Sequence, residues 1–392
     1  MIIQSTDTLA ALAARTFDVI VVGAGIAGLA ASYALVGRGR RVLLLDKAVF
    51  PRSKVCGGCL NARCVAALTS VFGEHLMGAL GGQQLDSLKL RFPHGRSATI
   101  AFGHDVHPSP MAVSRLHLDS VLLNACIERG VAFVSGARVV SSSLQPGKRI
   151  IAVRCEDGKL QTFCAPVVLA CDGLGSRLAE EAGLVSRRQH GGPDKVGVAL
   201  LLPAPAFDLP PREVVMACGR DGYVGIARVE EGRWNVAAAL HQIALRRHGG
   251  PVAAMQSIMG GVGLHAHLAN VDVQACPRLH RSVVRPWSER LLLVGDSSGY
   301  VEPITGEGMA WALAGALGAV GAIDEGWTTA SGPAYERHWN RAVRNRRMVV
   351  RLAGAVLDRP FVWGVATMAI GGFPSLSKLL VQRINRHSPE LP

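Results

Sequence analysis

The sequence lacks the features of a membrane-spanning or secreted protein. Its 392 residues contain no uninterrupted apolar run of about 18 residues, the length that a spanning helix needs. The first residues, MIIQSTDTLAALAARTFD, have no charged start followed by an apolar run and a cleavage site. The nine cysteines are spread along the chain without the dense spacing of a small secreted scaffold. We therefore expect a cytoplasmic protein whose cysteines are mostly buried thiols.

Aromatic residues are also scarce, at 5% of the chain. No nucleic-acid-binding motif is present, so nucleic acid is not expected as a partner in spite of a formal net charge of +13. The positive charge favours a nucleotide or an acidic lipid surface instead. The densest basic run, ERHWNRAVRNRRMVVRLAG, predicts a solvated helix face, with peripheral contact to the inner face of a membrane as the less favoured alternative.

Apolar runs that end beside Asp and Gly predict a parallel sheet. Residues 17–47 read FDVIVVGAGIAGLAASYALVGRGRRVLLLDK: a strand, a glycine turn, a helix rich in Ala and Leu, and a second strand. Two later apolar strands, PVVLACDG and RLLLVGDSSG, end in the same kind of residues. Ligands of open α/β sheets bind at the carboxyl ends of the strands, so we expect these ends to share one ligand site.

A different pattern interrupts this sheet. LDSLKLRFPHGRSATIAF and VVMACGRDGYVGIARVEEGRWNVAAALH alternate short strands with the turn signals PHG, RDG and EEG, which predicts an antiparallel sheet. We expect an α/β fold in which a discontinuous Rossmann-like domain is interleaved with an antiparallel substrate domain, followed by C-terminal helices. The expected boundaries are 15–80, 107–187 and 277–330 for the first domain, 81–106 and 188–276 for the second, and 331–392 for the helices.

Three glycines after the first strand form the motif GxGxxG. Gly23 permits the tight turn, Gly25 lets a pyrophosphate approach the backbone, and Gly28 lets helix and strand pack closely. The pyrophosphate then meets the N–H groups and the positive end of the helix. Asp46, at the end of the second strand, can accept hydrogen bonds from both ribose hydroxyls of an adenosine. An acid here argues against a 2′-phosphate, so the sequence predicts FAD or NAD.

Together, GxGxxG, the DG pair in ACDGLGSRLA and the GD pair in LLVGDSSGYVEPITGEGMAWAL resemble the FAD-dependent monooxygenase superfamily with the p-hydroxybenzoate hydroxylase fold. The resemblance implies that Asp296 binds the ribityl or pyrophosphate part of FAD and that Asp172 lies between FAD and NAD(P)H. It implies that Arg115 contacts the FAD phosphates, with a surface helix arginine as the alternative. For Asp172 the alternative is a cap of the turn at the strand end. The implied cofactor contacts also include Ala27, Lys47, Gly173, Gly295, Pro303 and Met309.

The segment TGEGMAWALAGALGAV also has a physical reading of its own. Gly306 and Gly308 let the backbone approach a planar ring, and the positive N-terminus of the following helix would stabilise an anionic reduced flavin by about 0.5–2 kcal/mol. Glu307 is expected to cap this helix, with contact to a ligand as the alternative. No second GxGxxG opens a helix after a strand, so NAD(P)H is expected to dock transiently on the open face of the flavin.

Within the superfamily the chain resembles the branch of geranylgeranyl reductases, FixC-like dehydrogenases and flavin-dependent halogenases. FPRSKVCGG, GDSSGYVEPITGEG and the basic tail are the segments that carry this resemblance. The Trp and Pro of the reductases' WxFP-type segment are missing from GYVGIARVEEGRWNVAAAL, and the halogenase motif WxWxIP is absent.

The resemblance therefore predicts an NAD(P)H-using monooxygenase that hydroxylates a lipophilic aromatic or quinone-precursor substrate through a flavin hydroperoxide. Reduction of prenyl double bonds is the alternative, and a flavin-binding protein without turnover is a third hypothesis. The C-terminal FVWGVATMAIGGFPSLSKLL is predicted either to lie in a membrane interface or to cover the substrate pocket. Neither a catalytic base nor an oligomeric state follows from the sequence.

The stretch VCGGCLNARC places Cys56, Cys59 and Cys64 close together, yet no second CxxC accompanies it, so a metal site is not expected. In the resembling flavoproteins a basic, glycine-containing loop passes the flavin ring at this place. On that basis Gly57 and Gly58 lie close to the flavin, and Arg52 and Lys54 face phosphate or substrate charge. Cys56 is the candidate catalytic residue, with Cys59 and Cys64 packed as small apolar groups.

Overall fold

The computed structural model describes residues 2–103, 106–155, 158–186, 195–260, 262, 271–276, 279–301 and 306–344. The strands of these residues are β1 (Val19–Val22), β2 (Val42–Leu45), β3 (Cys59–Leu60), β4 (Gln83–Gln84), β5 (Ser87–Arg91), β6 (Ser97–Ala101), β7 (Met111–Ala112), β8 (Ala132–Val134), β9 (Arg138–Gln145), β10 (Lys148–Arg154), β11 (Leu160–Ala165), β12 (Val167–Ala170), β13 (Lys195–Leu202), β14 (Glu213–Gly219), β15 (Gly222–Arg228), β16 (Trp234–His241), β17 (Gln274–Cys276), β18 (Trp287–Ser288) and β19 (Leu291–Leu293). Their helices are α1 (Leu9–Ala13), α2 (Ile26–Gly37), α3 (Ala62–Phe72), α4 (Glu74–Ala79), α5 (Arg115–Glu128), α6 (Arg177–Glu181), α7 (Gln242–His248), α8 (Pro251–Met259), α9 (Gly308–Ala322) and α10 (Ser331–Trp339).

A six-stranded sheet in the order β18-β19-β12-β1-β2-β8 organises the first part of the fold. The pairs from β19 to β8 are all parallel, and β18 is an antiparallel edge strand. Strands β1, β2, β12 and β19 are fully buried, as expected for a parallel sheet covered on both faces. The prediction that PVVLACDG and RLLLVGDSSG join the first strand in one sheet is confirmed. The carboxyl ends of β1, β2, β12 and β19 consequently meet at one edge.

A seven-stranded sheet in the order β17-β13-β16-β15-β14-β5-β6 forms the second part, from the segments that were expected to hold the substrate domain. One face packs on α8, and Met255 and Met259 of this helix belong to the same hydrophobic core as Val224 and Ile226 of β15. Most pairs are antiparallel as predicted, but β5 and β14 run parallel. These two strands are not joined by a hairpin, so turn signals did not determine their relative direction.

Two polar contacts fix the position of the sheets relative to each other. Glu230, which is 4% exposed, accepts hydrogen bonds from the backbone N–H and the hydroxyl of Ser114, at 2.8 and 2.5 Å. Asn235 of β16 donates to the carbonyl oxygen of Cys56 at 3.0 Å. A buried carboxylate with charge-assisted hydrogen bonds is costly to displace, so these contacts hold the cysteine loop and the start of α5 against the second sheet.

The helical end of the chain is described only in part. Helix α10 follows α9 and contains Arg337, the first arginine of the basic run, and a π-helical turn over Asn340–Arg344 contains Arg341 and Arg344. Arg346, Arg347, Arg351 and the segment FVWGVATMAIGGFPSLSKLL lie outside the described residues, so their predicted role stays a prediction. Among the helices that are described, none is both long and apolar enough to cross a membrane.

Candidate functional site

A large cavity lies between the carboxyl edge of the six-stranded sheet and the open face of the seven-stranded sheet. Its volume of about 1570 Å³ exceeds the range of roughly 300–1,000 Å³ that is common for small-molecule pockets. All of the predicted site residues that the structure describes line it, except Gly28 and Glu307. Pro303 lies outside the described residues. The cavity is large enough to hold a dinucleotide and a second molecule together.

The glycine turn after β1 has the geometry that its sequence predicted. Gly23 has φ +106°, and a Cβ there would lie 2.3 Å from the carbonyl oxygen of Cys171. A Cβ on Gly28 would lie 1.9 Å from the carbonyl oxygen of Gly23, so this residue packs beneath the turn. Gly25 has room: its nearest neighbours are the guanidinium groups of Arg115 and Arg52, at 3.7 and 3.9 Å from a Cβ. The turn therefore presents an open backbone face to two cations.

A buried carboxylate holds these two cations. Asp119, which is fully buried, accepts two hydrogen bonds from Arg115 at 2.9 and 2.8 Å. Arg52 lies 3.1 Å from the same carboxylate and donates to the carbonyl oxygen of Ala24 at 3.0 Å. Arg115 is 6% exposed, so the alternative of a surface arginine is wrong. Both guanidinium groups are thus fixed beside the N-terminus of α2, where an anionic group binds best.

Asp46 occupies the end of β2 and lines the cavity. Its carboxylate accepts hydrogen bonds from the backbone N–H groups of Ala24 at 2.7 Å and Ala48 at 2.8 Å. Arg52 lies 3.6 Å from it. A carboxylate offers about four lone-pair positions, so acceptor capacity remains for ribose hydroxyls. Lys47, the next residue, also lines the cavity.

Lys54 and Asp296 form an ion pair in the cavity wall. Lys54 Nζ lies 3.1 Å from Asp296 Oδ2, and a Cβ on Gly173 would lie 3.8 Å from the same ammonium group. Gly173 and Gly295 both have φ in the left-handed region, at +78° and +70°. A Cβ on Gly295 would lie 3.1 Å from the Cβ of Ala27 on α2. A side chain at Gly295 would therefore crowd α2, and the ends of β12 and β19 both turn in a conformation that favours glycine.

Asp172 is an unusual carboxylate in this wall. Within the described part of the chain its Oδ1 is buried and has no hydrogen-bond partner. Burial raises the pKa of Asp172 to about 6, against the opposing effects of Ser176, Arg281 and Lys47. An unsatisfied buried carboxyl oxygen costs free energy until a donor reaches it. Asp172 can therefore hold a proton near neutral pH or receive a hydrogen bond from a ligand.

The start of α9 differs from the prediction in one respect. Gly306 has φ +69° and Gly308 begins the helix, and both line the cavity together with the buried Met309. Glu307 occupies the N-cap position, but its side chain makes no capping hydrogen bond, so the expected side-chain cap is wrong. Its carboxylate instead lies 3.5 Å from the guanidinium of Arg63 on α3, a residue that is 1% exposed. The carboxylate of Glu307 therefore pairs with the buried Arg63 instead of accepting a hydrogen bond from the first N–H groups of α9.

The cysteine loop lies where the charged half of the cavity meets its apolar half. Cys56 and Cys59 both line the cavity, whereas Cys64 is fully buried as predicted. Cys59 is only half-buried by accessible surface, yet burial raises the pKa of its thiol to about 12. The Sγ of Cys56 accepts a hydrogen bond from Gly58 N at 3.4 Å. Among the described residues no cluster of His, Cys, Asp and Glu is arranged to hold a metal ion.

The second sheet supplies the apolar half of the cavity. Its lining side chains alternate along the strands, so that one face meets α8 and the other faces the cavity. Tyr223 adds a phenol to this face, with the ammonium of Lys195 5.6 Å from its ring centre. The larger apolar residues of this half are Leu88, Leu90, Ile100, Phe102, Val214 and Met216.

Several residues of the site were missed from the sequence. Asp119 follows Arg115 by four positions on a predicted helix, and that i,i+4 spacing could have identified the pair. His280 and Arg281 line the cavity, and Arg281 donates to the carbonyl oxygens of Leu174 and Ser176. Arg63 had no signal, because LNARCVAAL has the pattern of an ordinary amphipathic helix.

Comparison with known proteins identifies the family. The FAD binding domain family matches residues 16–319, which is most of the chain. The chain belongs to this family of FAD-binding proteins. The site fits the cofactor for three reasons. The glycine turn leaves the backbone open, Arg52 and Arg115 lie beside that opening, and Lys54 lies beside Gly173 in the same cavity. Asp172 also has a buried oxygen without a hydrogen-bond partner among the described residues.

The relatives and the structural neighbours confirm the expected resemblance. The chain is 34% identical over 182 residues to "Menaquinone reductase" of Mycobacterium tuberculosis, an alignment that spans 44% of this chain and 41% of that protein. It is 27% identical to "Digeranylgeranylglycerophospholipid reductase 1" of Methanopyrus kandleri, in an alignment that spans 84% of this chain and 87% of that protein. The structure of p-nitrophenol 4-monooxygenase from Pseudomonas putida superimposes with a TM-score of 0.76 at 16% identity, covering 95% of this chain and 99% of that one. That likeness shows the fold, and the predicted α/β architecture is confirmed.

Proposed function

We propose that this FAD-dependent oxidoreductase acts on a lipophilic substrate that carries a ring or a prenyl chain. The apolar half of the cavity is the observation that carries the proposal. The second sheet and the segments beside it line this half with Leu, Ile, Phe, Val and Met side chains. Burial of an apolar substrate against this face gains about 25 cal/mol per Å².

The charged half of the cavity would hold the cofactor. We propose that Arg52, Arg115 and Lys54 balance the charge of the FAD pyrophosphate at the N-terminus of α2, and that Asp46 receives the adenosine ribose. FAD supplies the redox chemistry when it is bound. The second sheet keeps water from the reacting groups, and the N-terminus of α9 offers a positive dipole at the other end of the cofactor site.

Reduction of the substrate is the reaction that we place first. The relatives named menaquinone reductase and digeranylgeranylglycerophospholipid reductase support it, the latter over most of both chains. Cys56 lies between the two halves of the cavity, so its thiol is suitably placed to deliver a proton to a carbon that receives a hydride. The thiol would then regain its proton from solvent.

Oxygenation is the second candidate, favoured by the motif set GxGxxG, DG and GD. In that case NAD(P)H would reduce the cofactor, and the apolar half would orient an aromatic ring and exclude water. NAD(P)H as the electron donor is a proposal for both reactions.

One experiment separates the two reactions. FAD-loaded enzyme is first mixed anaerobically with NADPH or NADH, and loss of the flavin absorbance identifies the donor. The reduced enzyme is then given a prenylated naphthoquinone, without oxygen or with isotopically labelled dioxygen, and the product is fragmented by mass spectrometry. Two hydrogens added to the prenyl chain without oxygen support reduction, and labelled oxygen on the ring supports oxygenation. If enzyme reduced with dithionite gives neither product, this substrate class is refuted, and a flavin-binding protein without turnover becomes the better hypothesis.

A further inference from the structure

Gly225 stands in the middle of β15, on the face that lines the apolar half of the cavity. Its neighbours Val224 and Ile226 point to the opposite face, into the core against α8. Glycine in a strand interior weakens the strand, because it adds conformational entropy to the unfolded chain and offers no side chain to pack. A glycine in mid-strand is therefore expected only where the backbone conformation, close packing or a ligand requires it.

Other glycines of the same sheet have such a reason. Gly222 has φ +133°, and a Cβ there would lie 2.0 Å from the carbonyl oxygen of Ala239. A Cβ on Gly197 would lie 2.9 Å from Leu279 and 3.0 Å from Val55. Backbone geometry or packing thus excludes a side chain at both positions.

Neither reason applies to Gly225. Its φ lies outside the left-handed region, and the nearest atom to a Cβ would be the carbonyl oxygen of Ala237, at an ordinary contact distance of 3.8 Å. The fold tolerates a side chain at this position, and the volume that such a side chain would occupy belongs to the cavity. What glycine provides at position 225 is therefore space inside the cavity.

The surroundings define the shape of this space. Ala237 lies directly opposite Gly225 on β16, and Ala239 is the next residue on the same face. Gly225 and Ala237 form a shallow floor about 5 Å wide between strand axes, which continues along β16 to Ala239, where the side chain of Tyr223 on β15 stands beside it. Met216, directly opposite Gly225 on β14, forms a wall on one side, and Val55 with Leu279 covers Gly197 on the other.

We infer that Gly225 is a specificity-determining residue that admits a planar, fused-ring head group onto the floor of Gly225, Ala237 and Ala239. The flat floor suits the face of an aromatic or quinone ring system, and the larger side chains of β5, β6 and β14 lie beside it to receive an apolar tail. This inference rests on the proposed lipophilic substrate and adds the width of its head group.

The test uses the FAD-loaded enzyme and two probes with apolar tails. One is a decyl-substituted benzoquinone with a single ring, and the other is a prenylated naphthoquinone with two fused rings. Binding is measured by the change in flavin fluorescence for the wild type, Gly225→Ala, Gly225→Leu and the double variant Gly225→Leu/Met216→Ala. FAD content and thermal stability are recorded for each. Gly225→Ala adds only one methyl group and guards against a failure of Gly225→Leu to fold.

Gly225→Leu is expected to raise the dissociation constant of the naphthoquinone by about tenfold or more. The dissociation constant of the benzoquinone should rise by less than about threefold. Gly225→Ala should give values between those of the wild type and Gly225→Leu. The double variant Gly225→Leu/Met216→Ala should recover part of the affinity for the naphthoquinone. It would not do so if Gly225→Leu had damaged the fold in general. If Gly225→Leu weakens the binding of both probes equally, or of neither, the inference about Gly225 is refuted, while the proposed substrate class is not. A wild type that binds neither probe would refute the proposed substrate class and this inference with it.

Discussion

The ammonium group of Lys54 lies 3.1 Å from Oδ2 of Asp296, although 242 positions separate the two residues. This ion pair joins the loop that carries the cysteines to the end of β19, and both partners line the cavity. A Lys54→Met variant keeps the length of the side chain but removes one positive charge from the cavity wall, beside Asp296 and an anionic cofactor. We expect its dissociation constant for FAD to rise by about tenfold, which corresponds to about 1.4 kcal/mol.

Titration of apo-protein with FAD, followed by flavin fluorescence, measures this change. Arg15→Met is the matched control, because Arg15 forms an exposed ion pair with Asp7 and does not line the cavity. Unchanged FAD affinity in Lys54→Met would show that the Lys54–Asp296 pair only fastens the loop.

The carboxylate of Asp119 holds both Arg52 and Arg115, and Asp119→Asn would leave one buried and one partly buried guanidinium group with too little negative charge. We expect a loss of about 3–5 kcal/mol in the free energy of unfolding of the apo-protein, measured with urea. Saturating FAD should recover more stability in this variant than in the wild type, because its pyrophosphate supplies negative charge at the same place. Asp18→Asn, which breaks an exposed pair with Arg41, should cost much less, because solvent screens that pair. Equal losses in the two variants would contradict the role of Asp119.

Local patterns predicted the parts of the site that are built locally. Gly23, Gly28 and Asp46 belong to one βαβ unit, in which the turn, the helix start and the strand end follow each other within 30 residues of sequence, and the structure has them as expected. The ends of β12 and β19 were also predicted correctly, because an apolar run followed by Asp and Gly marks the carboxyl edge of a parallel sheet.

Contacts between distant segments were not predictable in this way. Arg63 and Glu307 are 244 positions apart, and nothing in the periodicity of either segment indicates a buried partner. Once the fold encloses Arg63, its charge needs a carboxylate, and Glu307 supplies it instead of capping α9. The same limit explains the parallel pairing of β5 with β14, since strand periodicity fixes the buried face of a strand but not its direction.

Burial of Asp172 should make the stability of the apo-protein depend on pH. Its pKa is about 6 in the folded protein and 3.8 as the ordinary value, so the folded state binds the proton more tightly. The contribution of Asp172 to stability is therefore complete below about pH 4 and is lost as the pH rises through about 6. Asp172→Asn should be close to the wild type below about pH 4 and more stable by about 3 kcal/mol at pH 8, because the amide carries no charge to bury. Urea unfolding at a series of pH values measures the difference, and a difference that does not vary with pH would contradict the assignment.

Cys56 and Cys59 provide a direct test of the thiol at the junction of the two cavity halves. If the Cys56 thiol delivers a proton to the substrate, Cys56→Ala should lower the rate of product formation by about 100-fold while the FAD dissociation constant changes by less than about twofold. Cys59→Ala is the matched control, since Cys59 lies in the same loop and burial raises the pKa of its thiol to about 12, which makes it a poor proton donor. Single-turnover mixing of dithionite-reduced enzyme with a prenylated naphthoquinone measures the step without dependence on the electron donor. In this proposal Cys56 donates a proton to the reacting carbon. The solvent deuterium isotope effect on the rate of product formation should therefore differ from the wild-type value in Cys56→Ala and equal it in Cys59→Ala. Full turnover in Cys56→Ala would reduce Cys56 to a packing residue and leave proton delivery to solvent or to another group of the cavity.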